Sequence, residues 1–263
     1  MYQFNYRKAS SVAHAADLRA NAEDGVYLAG GMTLIPTLKQ RLAAPSDVID
    51  VGGLDGLRGI DVGATVRIGA LTTHAEVAAS AEVRGAIPAL SDLAEGIGDA
   101  HVRNRGTIGG SVANSDPAAD YPAAVVGLAA TVHTNRRSIA GDDFFTNLFE
   151  TALEEGEIIT SVEFPVPARA AYAKFPNPAS RYAIVGVMVA EVAGAVRVGV
   201  TGAGPCAFRS AELEAALAGG LSLAALDGVS VPGDDFNSDL HASAEYRAHL
   251  VVVMARRAVA QLA

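Results

Sequence analysis

The chain has 263 residues; half are apolar, aromatics are only 6%, Trp is absent, and 29 acidic against 20 basic residues leave a formal net charge of −9. That length buries a sizeable core in one or two compact units, and that charge repels nucleic acid and anionic membrane, so a bound phosphate has to be held locally by backbone N–H groups and nearby arginines. No apolar run reaches the ~18–20 residues of a membrane span, and the start lacks a secretory apolar core, which makes the cytoplasm the expected compartment.

In chain order, an amphipathic stretch over Val12–Ala22 predicts a helix, and "GVYLAG" (25–30) predicts a short buried strand ending at a glycine pair. "TLIPTLKQRLAA" (33–44) has Leu34, Leu38 and Leu42 at helical spacing, with Thr33 as the expected N-cap and Pro36 in the first turn. "DVIDV" (47–51) completes a small parallel β–α–β unit. The segment 59–73 alternates around Gly63-Ala64 as a hairpin, and helices are expected near 73–79, 87–97 and 117–129. Strands follow near 131–133 and within "GEIITSVEFPVP" (156–167), and the prolines at 165, 167, 176 and 178 mark a domain boundary. Beyond it, 182–204 reads as two strands around Gly194, Ser210 caps a helix stopped by Gly219, and 243–263 is a helix of several turns.

The lone Cys206 excludes an internal disulfide and an iron–sulfur cluster, which takes about four ligands. The six histidines are dispersed without metal-ligand spacing, so no metal site is expected. Nucleotide fingerprints of the GxGxxG and GxxxxGK[ST] kinds and the GxSxG hydrolase elbow are absent. Four Gly-Gly pairs occur where chance in so glycine-rich a chain gives about three, so a pair alone carries no information. Gly30-Gly31 and Gly109-Gly110 differ from the rest because each leads into a helix start beside a hydroxyl residue. Such a loop can present converging N–H groups to a pyrophosphate, and a β-carbon there blocks the anion's approach. On the residues alone, a phosphate cradle and a tight turn both remain open.

"YLAGGMTLIPTLK" followed by "VRNRGTIGGSVANSDPAADYP" resembles the flavoprotein (medium) subunits of molybdenum hydroxylases, the xanthine dehydrogenase and carbon monoxide dehydrogenase family. "DDFFTNLFETALEEGEIITSVEFP" and "ASAEYRAHLVVVMARRA" are similar to later segments of the same subunits, in the same order. The resemblance implies an α+β chain: a vanillyl-alcohol-oxidase/PCMH-type FAD-binding domain over 1–167, with α/β lobes of about 1–54 and 55–167, then a C-terminal α+β domain over 168–263.

Carried over by position, Leu28, Ala29, Gly30, Gly31, Met32, Thr33 and Leu34 form one pyrophosphate loop, and Thr107, Gly109, Gly110 and Ser111 the other. Asn114 and Asp120 fall where the family contacts the nucleotide portion, Ile97 and Ile159 at apolar positions flanking FAD, Lys174 near a lysine at the flavin, and Tyr182 at an aromatic beside the ring. No catalytic acid–base residue is implied. Met32 stands where a polar residue is common, and Arg181 where the family is often acidic, which leaves the ring's surroundings and the acceptor open. Arg103 and Arg105 either neutralise phosphate, face a partner or are solvated.

The expected role is therefore an FAD-binding electron-transfer subunit. Its expected partners are a molybdopterin-binding large subunit and a small subunit with two [2Fe–2S] clusters, assembled as a dimer of heterotrimers. A self-sufficient flavin oxidoreductase of the same fold and a non-catalytic nucleotide-binding assembly subunit are the alternatives. The substrate and the terminal acceptor, whether NAD, oxygen, quinone or cytochrome, stay open.

Overall fold

The structure, a computed structural model, describes residues 1–262. Strands β1 (Asn5–Lys8), β2 (Gly25–Leu28) and β3 (Asp47–Asp50) form a parallel sheet in the order β1-β3-β2, with Asp47 level with both Asn5 and Gly25. Helix α1 (Val12–Ala20), capped by Ser11 on the His14 N–H at 3.0 Å, and α2 (Leu34–Lys39) make the crossovers. Strand β1 carries no buried residue, which is why no apolar pattern announces it. Helix α2 stops before Leu42 because Arg41 turns into the left-handed region, and Leu42 lies exposed. Thr33 makes no side-chain cap, contrary to the sequence expectation.

A second sheet gathers β4 (Ile60–Val62), β5 (Thr65–Gly69), β6 (Thr131–Thr134), β7 (Ser138–Ala140) and, after the short hairpin β8 (Phe145–Asn147) and β9 (Glu150–Thr151), β10 (Ile159–Pro165). Its order is β4-β5-β10-β6-β7, and every neighbouring pair is antiparallel. Between β5 and β6 the chain makes helices α3 (His74–Ala79), α4 (Ala81–Ala86), α5 (Pro88–Glu95), α6 (Ala100–Arg105), α7 (Ile108–Asn114) and α8 (Tyr121–Gly127); a single turn, α9 (Gly141–Phe144), follows β7. Their starts are written in local chemistry: Thr73 and Glu76 form a capping box on α3, Ser80 caps α4, Asp99 caps α6 and Thr107 caps α7. Helix α8 begins later than the expected 117, because Ser115 is left-handed and Asp116 Oδ1 accepts the Ala118 N–H at 2.9 Å in a tight turn.

The third sheet is antiparallel in the order β11-β12-β13-β14: β11 (Arg169–Pro176), β12 (Ala183–Val192), β13 (Ala195–Thr201) and β14 (Phe208–Arg209). Helices α10 (Ala211–Leu217) and α11 (Ala244–Ala260) follow it. Strand β12 is apolar almost throughout because both of its faces are covered. Val185, Val187 and Val189 share a core with Leu250, Val251 and Met254 of α11, while Met188, Ala190 and Val192 join the core of the second sheet with Val125 and Val126 of α8.

The α8 contact depends on two glycines in van der Waals register. A β-carbon on Gly199 of β13 would lie 2.2 Å from the Ala123 carbonyl oxygen and 2.7 Å from the Gly127 nitrogen. Gly199→Ala forces β13 away from α8, and the expected destabilisation is about 1–3 kcal/mol, read as a lower urea midpoint. Gly219→Ala, whose new methyl meets nothing within 4 Å, should keep the wild-type midpoint. Equal midpoints for both variants would show that the α8 contact yields without cost.

Candidate functional site

A cavity of about 560 Å³ opens between the parallel sheet, the α5–α7 segment and the turn joining β11 to β12. Its volume is that of a small-molecule or cofactor site. Ala29, Met32, Thr33 and Leu34 line one wall, Thr107, Gly109, Gly110, Ser111 and Asn114 another, and Ile97, Asp120, Ile159 and Tyr182 complete it. Leu28, Gly30, Gly31 and Lys174 stand behind these walls and do not line the cavity.

The loop glycines have different jobs. A β-carbon on Gly30 would sit 1.8 Å from the Arg105 carbonyl oxygen, so this glycine lets two backbones touch. Gly31 has φ +73, and Gly109 presses on Ala70, where an added β-carbon would come within 2.5 Å. Gly110 alone of the four faces the space between the loops: its added β-carbon would meet Thr107 Oγ1 at 2.9 Å and then only Ala29 Cβ, at 3.9 Å.

Hydrogen-bond accounting separates the loops further. Among the described residues, the backbone N–H groups of Gly30, Gly31, Met32, Thr33 and Leu34 have no protein acceptor. At the start of α7 every N–H is engaged: Ile108 donates to Thr72 O, Gly109 to Ala70 O at 2.9 Å, Gly110 to Thr107 Oγ1 at 3.1 Å and Ser111 to Thr107 O. The first loop is a row of free donors. The second is a rigid wall that contributes the side chains of Thr107, Ser111 and Asn114. An anion with several oxygens is the ligand such a donor row fits.

Asp120 is buried, accepts from Tyr172 Oη at 2.6 Å and pairs with Lys174 Nζ at 2.9 Å, while the same ammonium reaches the Gly96 carbonyl at 3.0 Å. Burial pushes the Asp120 carboxyl above its ordinary range, and the Lys174 charge and the Tyr172 hydroxyl pull it back. Lys174 thus acts on the cavity through Asp120 and through the segment leading to Ile97. Tyr182, 42% exposed, sits at the mouth, its hydroxyl beside Thr33 and its acidity weakened chiefly by burial.

Several lining residues carry no sequence signal. Glu157 reaches the wall saturated: Arg137 donates twice at 3.1 Å, Thr134 Oγ1 at 2.6 Å and the Glu154 N–H at 2.8 Å. Burial raises its pKa, but those donors outweigh it and hold the carboxyl at about 2. His74, one of the dispersed histidines, is buried in the wall with Nδ1 unpartnered and its ring 5.3 Å from that of Tyr121. Its imidazole is held down to about 4, first by burial and then by the Arg103 charge.

Residues 2–167 match the family of FAD-binding domains in molybdopterin dehydrogenases. The nicotine 6-hydroxylase medium subunit of Paenarthrobacter nicotinovorans is 35% identical over 97% of this chain and 96% of its own. The carbon monoxide dehydrogenase medium chain of Afipia carboxidovorans is 34% identical over 97% and 95%. The structure of reconstituted carbon monoxide dehydrogenase from Oligotropha carboxidovorans superposes with a TM-score of 0.90 at 32% identity, covering 99% of this chain and 97% of that one. Fold and cavity therefore define a flavoprotein of the PCMH type with a C-terminal α+β unit. The chain belongs to the family of FAD-binding medium subunits of molybdenum-containing dehydrogenases.

His74 makes a pH prediction. Its folded pKa near 4 lies below the ordinary 6.5, so the unfolded chain binds the proton first as pH falls. Its contribution to stability is complete above pH 6.5 and is lost on acidification towards about 4, on the order of 3 kcal/mol in all. His74→Gln should flatten that limb of the urea-midpoint profile. An unchanged slope would show that His74 is solvated.

Proposed function

We propose that this chain is the electron-relay subunit of a multi-subunit molybdenum hydroxylase, taking electrons from [2Fe–2S] clusters on a small partner and delivering them to an external acceptor. The large partner, with molybdopterin, oxidises the substrate, and the complex is a dimer of such heterotrimers. The observation that carries this reading is the run of N–H groups from Gly30 to Leu34 without a protein acceptor, three of which belong to Met32, Thr33 and Leu34 in the wall of the cavity that Gly110 also lines. When bound, FAD supplies the redox chemistry, accepting electrons singly or in pairs.

The chain's own residues bind, orient and insulate. Backbone donors of Gly30, Gly31, Met32, Thr33 and Leu34 hold the pyrophosphate, with Leu28 and Ala29 setting the loop's entry. Thr107, Ser111 and Asn114 add side-chain bonds, and Gly109 and Gly110 keep that wall close and free of β-carbons. Asp120, fixed by Lys174 and Tyr172, accepts from sugar-chain hydroxyls, and it remains an acceptor because its ammonium partner is buried with it. Ile97 and Ile159 exclude water, and Tyr182 packs against the ring. Residues 1–167 carry the cofactor, and 168–263 close over it through Tyr182 and brace Asp120 through Lys174.

A relay requires no substrate-activating acid or base, and three of the cavity's titratable groups are already committed to the protein. Asp120 is paired, Glu157 is saturated and His74 is held neutral. Substrates should therefore not reduce the flavin of this chain alone. The test is anaerobic: the chain loaded with FAD is given a purine, an N-heterocycle, an aldehyde or carbon monoxide, and the flavin band is followed. The band should persist until the cluster and molybdenum subunits are added, and then bleach with the complex's substrate. Bleaching by substrate in the isolated chain would establish a self-sufficient oxidoreductase instead.

A further inference from the structure

Most arginines of this acidic chain sit against a carboxylate, as Arg84 does on Asp92, Arg137 on Glu157 and Arg197 and Arg209 on Asp142. Arg103, Arg105 and Arg181 break that pattern together. Among the described residues, none of the three has a carboxylate at ion-pair distance; Arg181 lines the cavity, Arg103 bonds the wall residues Ile97 and Gly98, and Arg105 lines an adjoining hollow. Arg103 Nη1 donates to Ile97 O at 3.0 Å and to Gly98 O at 3.2 Å, and Arg181 Nη1 donates to the same Gly98 O at 3.2 Å. Two guanidiniums thus converge on one carbonyl oxygen in the cavity wall.

That convergence is electrostatically incomplete. Two like charges face each other across a neutral acceptor, and neither nearby carboxylate, Asp99 or Asp116, comes to ion-pair distance of them. Asp99 accepts the Val102 N–H at 2.9 Å and feels Arg181 only at longer range, and Asp116 accepts the Ala118 N–H at 2.9 Å. The arrangement is also held at a cost, since Arg181 has φ +64 in a tight turn closed by Arg181 N–H to Asn177 O and Asn177 N–H to Tyr182 O. The same turn sets Tyr182 at the mouth. A shallow hollow lined by Met32, His101, Asn104 and Arg105 adjoins the cavity, sharing Met32 with it.

A guanidinium pair without a counter-charge is a receptor for one carboxylate or phosphate. The site is a pinch point of a few side chains, which fits a small molecule's anionic group. We propose that this mouth docks the electron acceptor, and that the acceptor is a small molecule presenting an anionic group to Arg103 and Arg181. The proposal rests on the reading that the cavity holds FAD. It opposes what net charge alone dictates, because a chain of −9 repels anions on average.

The test reduces the FAD-loaded chain anaerobically and mixes it rapidly with ferricyanide or with hexaammineruthenium(III). Either oxidant takes one electron, so two are consumed per reduced flavin and two protons pass to solvent. Ferricyanide reoxidation should slow as salt rises, and Arg181→Glu should slow it by about tenfold while speeding the ruthenium cation; Arg181→Lys should restore the wild-type order. A ferricyanide rate that rises with salt and ignores Arg181→Glu overturns the proposal. A chain that takes up no FAD refutes the cofactor reading separately. In that case calorimetry of ferrocyanide on the flavin-free chain decides the anion site: binding lost in Arg181→Glu upholds it, and no binding overturns it.

Discussion

The arrangement of the cavity depends on a backbone-to-backbone contact between Gly30 and the Arg105 carbonyl, so close that a single methyl group would overlap it. The two segments come from different sheets. The second segment is itself anchored to the start of α3 by a bridge between Thr73 and Thr107 and by the His74 N–H on Gly106 O at 3.0 Å. The N–H groups of Ile108 to Ser111 are consumed by the Thr72, Ala70 and Thr107 oxygens, so that surface is stiff and closed. The first segment, pressed against it, has its own donors left over. The asymmetry between the loops thus follows from which of them has its amides tied to neighbouring oxygens.

The third sheet takes part through buried polar chemistry. Lys174 and Tyr172 on β11 converge on Asp120, whose carboxylate would be costly to bury alone. A buried pair of this kind adds little stability by itself, but it fixes the position of each member. Asp120 faces the cavity from one side, Gly96 leads to Ile97 on another, and both are tied to the same ammonium. The turn after β11 then carries Arg181 and Tyr182 to the mouth, so one hairpin sets both a wall and the entrance.

Much of the architecture is legible in the sequence because local chemistry writes it. Thr73, Thr107, Ser210 and Ser243 stand where helices begin, and the Gly194 hairpin and the continuous apolar run of β12 follow from turn and burial patterns. Strand β1 is invisible because it is exposed on the edge of its sheet, and α4 because its six residues bury only Val83. The glycine pairs are legible as candidates, and family resemblance chose between turn and cradle. Which N–H groups remain free is not written locally, since the acceptors for Ile108 and Gly109 are the distant Thr72 and Ala70 carbonyls. His74, Glu157 and the convergence of Arg103 with Arg181 are likewise products of tertiary packing.

Amide hydrogen exchange reads directly whether the first loop donates and the second loop encloses. Exchange is measured on the chain with and without FAD, residue by residue. FAD should confer protection on the amides of Gly30 to Leu34, while those of Ile108 to Ser111 should be protected in both states. Protection gained only at Ile108 to Ser111, or gained nowhere, would contradict it.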